Sequence, residues 1–148
     1  MSTIVTPAEA EAEIRAIMDA RVGAVRAKDA AALVANHVPD IVCYDLLEPL
    51  QYRGVERVRQ RAQQWFDGYD GPMGYEIVGL EVVAAFDVAF SYGLHHVTGT
   101  TKDGQKIDMH WRSTQVFQRL DGMWKIMHEH GSVPFDMKTR KASLDLKP

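Results

Sequence analysis

Apolar residues recur at helical spacing through Ile14, Met18 and Val25, with Ile17 and Val22 beside them, and Arg21 falls inside the same stripe. Thr6 can cap this helix, Pro7 suits its first position, and Glu9 completes a capping box with Thr6. A charged side chain on an apolar stripe needs a partner or a wet pocket, which makes Arg21 a residue to follow. Asp29 can cap a short second helix running from Ala30 to about Asn36. Ile41 to Asp45 reads as a short strand, and Gln51 to Arg53, beyond Pro49, as another. Gly54 opens a third helix with Val55, Val58, Ala62 and Trp65 on one face, ended by the glycines and Pro72 between Asp67 and Gly74.

From there the pattern is β: Gly74–Val83, Asp87–Thr100, Gln105–Arg119 and Met123–Val133, with hairpin signals at Asp103-Gly104 and Asp121-Gly122. Helices followed by an antiparallel meander predict an α+β fold. Long strands twist, so the expected architecture is a cone-shaped curved antiparallel sheet wrapped on a long N-terminal helix and two shorter helices, hollow at the mouth. One domain is expected over residues 1–137, followed by a polar, frayed tail over 138–148.

The 148 residues, 46% hydrophobic and 25% charged, fit one domain with a proper core. A net charge of -3 argues against nucleic acid, whose phosphates want a basic face, and gives no reason to invoke a membrane. The segment MSTIVTPAEAEAEI has neither the basic start nor the apolar core of a secretory signal, and no stretch approaches the ~20 apolar residues of a membrane helix. A lone cysteine, Cys43, in the apolar run Ile41-Val42-Cys43-Tyr44 reads as a buried, inert thiol. A cytoplasmic address is expected.

Strand alternation sorts the candidate chemistry into faces. His110, Arg112, Thr114 and Val116 share one face of the long strand, taken here as the cavity face; Trp111, Ser113, Gln115 and Phe117 share the other. Arg112 could then clamp a carboxylate or stabilise an enolate, or be a structural partner for Asp45 or Glu48. In the last strand His128 and His130 alternate with Met127, Glu129 and Gly131, sharing a face with Trp124, Ile126 and Ser132. Two histidines do not make a metal site, and the spacing matches no strong zinc signature, so no metal is expected. Hydrogen-bonded histidines near the pocket floor are the first reading, and one of them as a general acid the alternative. His95 and His96 point to opposite faces, so at most one sees the cavity. Tyr44, Trp65, Tyr92 and Trp124 could line an aromatic pocket or belong to the core. There is no nucleophile elbow and no Walker loop, and GVERVRQRAQQW reads as a helix with a solvated face.

Three segments carry a resemblance: Lys28-Asp29 followed by a short helix and then Tyr44-Asp45; Asp45 followed nine residues later by Gly54; and the closing pair HWRSTQVFQRLDGMWKIMHEHGSVPFD. From about Glu9 to Phe135 the chain resembles the nuclear transport factor 2-like (NTF2-like, cystatin-like) superfamily, and within it the SnoaL-like and ketosteroid isomerase-like proteins. In the isomerases an aspartate ending the first strand is the general base, and Asp45 falls there. Arg21 stands where those enzymes place a tyrosine, and Thr114 to Phe117 holds no acid in the place of their second oxyanion donor. The resemblance also implies a homodimer paired through the outer side of the sheet. This fold hosts isomerases, cyclases, dehydratases and non-enzymes alike.

The expectation is therefore a protein binding a small apolar or carbonyl-containing ligand. Asp45 would be the base, with Arg112 and His128 stabilising developing charge. Tyr44, Trp65, Tyr92, His110, Trp124, His130 and Arg21 would surround the ligand, without cofactor. An ion pair of Asp45 with Arg21 or Arg112 would make it a poorer base. The alternative is a non-catalytic ligand-binding or dimerisation module.

Overall fold

The computed structural model describes residues 5–148; residues 1–4, the start of the segment read as lacking a secretory signal, lie outside the described residues. Helix α1 (Pro7–Arg26) begins as expected: the Thr6 amide donates to Glu9 Oε2 at 2.8 Å and the Glu9 amide to Thr6 Oγ1 at 3.2 Å. Helix α2 (Ala30–Leu33) is a single turn capped by Asp29, which accepts from the Ala32 amide at 3.0 Å. Strands β1 (His37–Tyr44) and β2 (Tyr52–Arg53) form a small antiparallel pair, and α3 (Val55–Asp67) starts after Gly54, whose φ of 94° favours glycine.

Four long strands follow: β3 (Tyr69–Ala84), β4 (Val88–Thr101), β5 (Lys106–Leu120) and β6 (Met123–Ser132). They belong to one six-stranded sheet ordered β2-β1-β6-β5-β4-β3, antiparallel except for the parallel pair β1–β6. Both hairpin signals hold; Asp121 and Gly122 take φ of 50° and 77°, the left-handed pair that matches strand twist. β3 begins at Tyr69, well before the expected Gly74. It is an edge strand, so Pro72 need donate nothing to the ladder, and a bulge with Gly71 at φ 76° absorbs the irregularity between Asp70 and Gly74.

The concave side of the sheet holds two apolar clusters. Ile14 and Met18 of α1 meet Ile41, Phe117, Trp124 and Ile126 in one. Val25 meets Leu33, Phe66, Tyr69, Tyr75 and Val97 in the other. Arg21 sits on α1 between Met18 and Val25, at the seam of the two.

The segment expected to fray instead turns back on itself. Phe135 bridges Ala142, and Asp136 Oδ1 accepts from the amides of Lys138 and Thr139 at 2.8 and 2.9 Å. No helix among the described residues is long and apolar enough to cross a membrane.

Candidate functional site

Arg21 finds its partner on the last strand. Its two terminal nitrogens donate to the two carboxylate oxygens of Glu129 in a fork, the Nη2 bond to Oε2 being 3.3 Å. The side chains retain 15% and 12% exposure, so the pair is enclosed yet reachable from solvent. His37 Nε2 stands 3.7 Å and Cys43 Sγ 3.9 Å from Glu129 Oε2.

The electrostatics follow from burial and pairing. Burial opposes the charge on Arg21, but Glu129 and then Tyr75 outweigh it and raise its pKa. Burial alone would raise Glu129; Arg21, followed by His37, holds its carboxyl far below the usual carboxylate range. Glu129 is therefore an anion and a weak base. Burial, reinforced by Glu129, pushes the Cys43 thiol up to about 12.

Beside this pair lies an aromatic box. The Tyr75 hydroxyl hydrogen-bonds His95 Nδ1. Trp111 lies 5.9 Å from Tyr75 and 5.6 Å from His95, centroid to centroid, and Trp65 stands edge-on to Trp111 at 6.1 Å and to Tyr69 at 6.5 Å. Tyr69, Tyr75 and His95 are buried while Trp65 and Trp111 are only partly so, which opens the box on the tryptophan side. Burial, only partly countered by Arg21, lifts the Tyr75 phenol to about 12, and burial with Arg21 beside it drops His95 to about 3. Near neutrality both are uncharged hydrogen-bonding groups. Deeper in, Ser91 donates to Gln115 at 2.9 Å and Gln115 to Ser113 at 2.6 Å, which satisfies this buried polar row.

The structure reverses the expected faces of β5. Trp111, Ser113, Gln115 and Phe117 point inward; His110, Arg112, Thr114 and Val116 point outward. Alternation defines two sets without saying which is inside, and the apolar mass of Trp111 and Phe117 decides it. Arg112 is exposed and donates to Ser132 Oγ at 3.2 Å; it borders an outer groove of about 430 Å³ with Val78, Tyr92 and Thr114. Tyr92 lies exposed, stacked on Phe90, and His110 stacks on His96, also outside.

A bulge explains β6. Phe117 pairs with Ile126 and Val116 with His128, so Met127 is an extra residue and the alternation changes phase there. Trp124 and Ile126 therefore share the interior with Glu129, while His128 and His130 face outward, edge-on to the Tyr44 ring. The His128 ring nitrogen Nδ1 lies 2.7 Å from the Val42 carbonyl. Trp124 is core: its Nε1–H donates to Glu13 at 2.8 Å and Arg119 covers its ring.

Asp45 is exposed at the end of β1 and pairs with neither expected arginine. Its Oδ2 lies 3.7 Å from Arg61 of α3, and its Oδ1 accepts from the Leu46 amide at 2.6 Å. Of the residues singled out from the sequence, Arg21, Trp65 and Trp124 reach the interior, Arg21 against Glu129 and Trp65 against Tyr75 and Trp111. Glu129, Tyr75, Trp111, His37 and His95 join them; only His95 had been marked as one of a pair with one interior member.

Comparison with known proteins agrees with this architecture. The family model described as a SnoaL-like domain matches residues 14–136. The chain is similar to an NTF2-like protein of unknown function from Pseudomonas putida KT2440, with 35% identity over 95% of this chain and 98% of that one and a TM-score of 0.87. It shares the fold of a Novosphingobium aromaticivorans protein proposed to be an aromatic ring hydroxylase (21% identity, 86% and 90% coverage, TM-score 0.75). It also shares that of a Streptomyces avermitilis NTF2-like protein proposed to be a dehydratase (16%, 86% and 97%, 0.74). No curated protein matches the chain in sequence.

Proposed function

Because the chain belongs to the SnoaL-like domain family, we propose that it binds a small, flat, apolar carbonyl compound inside the cone. The aromatic box forms the walls and buried N–H groups anchor the oxygen. One observation carries this reading. Arg21 Nε and His95 Nε2, like both ring nitrogens of His37, are buried without a hydrogen-bond partner, and with the Tyr75 hydroxyl donating to His95 Nδ1 it is Nε2 that carries the imidazole proton. Folded proteins rarely leave such groups unmatched, and a ligand oxygen accepting from them would complete their hydrogen bonds. Asp45, Arg112 and His128 have no part in holding this ligand, since the first stands at the rim and the others on the outer face. The reading needs no cofactor.

The test is quenching of tryptophan fluorescence by cyclic aromatic ketones and by the matching hydrocarbons without the oxygen. The ketone should bind about 10-fold more tightly, the worth of roughly one buried hydrogen bond. Trp111→Ala should weaken binding and Arg112→Ala should not. Equal binding of ketone and hydrocarbon would sink the proposal.

A second reading is enzymatic, favoured by a carboxylate and neutral donors converging at one buried place. Donors aimed at a carbonyl oxygen also stabilise the enolate left when a neighbouring proton is removed, as an isomerase or cyclase requires. Asp45 at the rim and Glu129 within are the two possible bases, and Arg21 weakens the second. Exchange of the ketone's α-protons with heavy water, followed by NMR in Asp45→Asn and Glu129→Gln, separates them; no exchange in the wild type leaves binding alone. A homodimer, if formed, would use the outer face with Phe90, Tyr92 and Thr114 rather than the face carrying Trp111. A cytoplasmic setting suits a reduced Cys43.

A further inference from the structure

We propose that the outer face of the sheet carries a divalent metal site, built from His96, Asp108 and His110 and distinct from the interior ligand site. Donor atoms of these three residues lie within 4.8 Å of one another. Zinc bonds imidazole nitrogen and carboxylate oxygen at about 2.0–2.2 Å, so the ligand atoms of a tetrahedral set stand about 3.3–3.6 Å apart. Side-chain rotations that draw the farthest donors together by about 1.4 Å, with one imidazole tilting out of the His96–His110 stack, would close the set. Imidazole with carboxylate suits borderline ions such as zinc rather than magnesium or calcium.

The sheet provides a rigid template. Glu76, His96 and His110 lie in one row across β3, β4 and β5, since Glu76 pairs with His96 and His96 with His110. Asp108 precedes His110 by one strand repeat and so shares its face. Glu76 Oε1 lies 2.9 Å from His96 Nδ1, which turns Nε2 toward Asp108, 2.6 Å away. A carboxylate behind a metal-ligating histidine is the usual device for fixing its ring and tautomer. The His96 and His110 rings stack at 3.9 Å, and His110 Nδ1 is buried without a partner.

A cation already sits at the edge of this set. Lys147, from the C-terminal tail, places Nζ 2.9 Å from the same Asp108 oxygen that contacts His96. Metal and ammonium would compete for that oxygen, so the tail is a built-in rival of the ion. His128 and His130 are outside the group, despite their spacing.

The full chain, stripped with a chelator, is titrated with zinc chloride by calorimetry and with cobalt(II) by visible absorption. One ion per chain is expected, with tetrahedral cobalt bands. His96→Ala and His110→Ala should each abolish both signals while the far-UV circular dichroism stays native. Glu76→Gln should weaken binding about 10- to 100-fold, as loss of such a positioning partner does. Lys147→Ala, which removes no ligand, should tighten it by up to about 5-fold, the worth of one exposed ion pair. His128→Ala should leave it unchanged. The proposal is overturned by an inert wild type, by wild-type affinity in His96→Ala and His110→Ala, or by equal loss in His128→Ala.

Discussion

Replacing Arg21 by methionine leaves Glu129 buried with His37 and Cys43 as the polar groups beside its carboxylate among the described residues. Breaking a buried pair by removing one partner costs about 3–5 kcal/mol, because the remaining charge is uncompensated. Replacing both, as Arg21→Met with Glu129→Leu, removes the charge with its partner and should return to within about 1 kcal/mol of the wild type. Urea unfolding followed by far-UV circular dichroism measures all three. The pH dependence adds a second check. In the wild type the Glu129 carboxyl is held below its ordinary value of 4.5, so its contribution is complete above that pH and drains away as the pH falls through the folded pKa. Without Arg21, burial dominates and raises the folded pKa; the single variant is then penalised above about pH 4.5 and relieved once the carboxyl is protonated. The gap between wild type and Arg21→Met should be widest at pH 7 and narrow toward pH 4. A single variant within about 1 kcal/mol of the wild type, or a double variant as unstable as the single, would refute this account of the pair.

Two further outcomes test other parts of the structure. Cys43, with its thiol raised to about 12, should be roughly one part in 10⁴ thiolate at pH 8, so a disulfide reagent should find one thiol only after urea is added. Met18, wholly buried against both Ile14 and the sheet, should cost about 2–5 kcal/mol on truncation to alanine, read from the shift in the urea midpoint.

Local signals in the chain were legible because they act locally. The capping box of α1, the glycine before α3 and the two Asp-Gly turns each depend on a few neighbouring residues, and each stands where its chemistry requires. The interior was harder to read for three separate reasons. Alternation along β5 separates two faces without a sign, and weighting Arg112 and His110 as chemistry over Trp111 and Phe117 as apolar mass chose the wrong one. The phase change in β6 falls at Met127, with no glycine or proline to mark it, so the histidines on either side of Glu129 were carried inward with Trp124. The partner of Arg21 is 108 residues away, beyond any periodic pattern. That Arg21 needed a partner was nonetheless readable from its place on an apolar stripe.

The sheet order β2-β1-β6-β5-β4-β3 also has a consequence in time. β6, made last among the strands, is a central strand: until it inserts, the β1–β2 pair is not joined to the β3–β4–β5 meander. A chain stopped before Met123 would carry two further open sheet edges, along β1 and β5, and would be prone to self-association. It would also hold Arg21 without Glu129. Bringing together ends 108 residues apart costs on the order of 4 kcal/mol in loop entropy, and both the β1–β6 ladder and the buried ion pair are gained in that single closure. The interior that holds Arg21 and Glu129 is thus completed late, all at once, by the strand that seals the sheet.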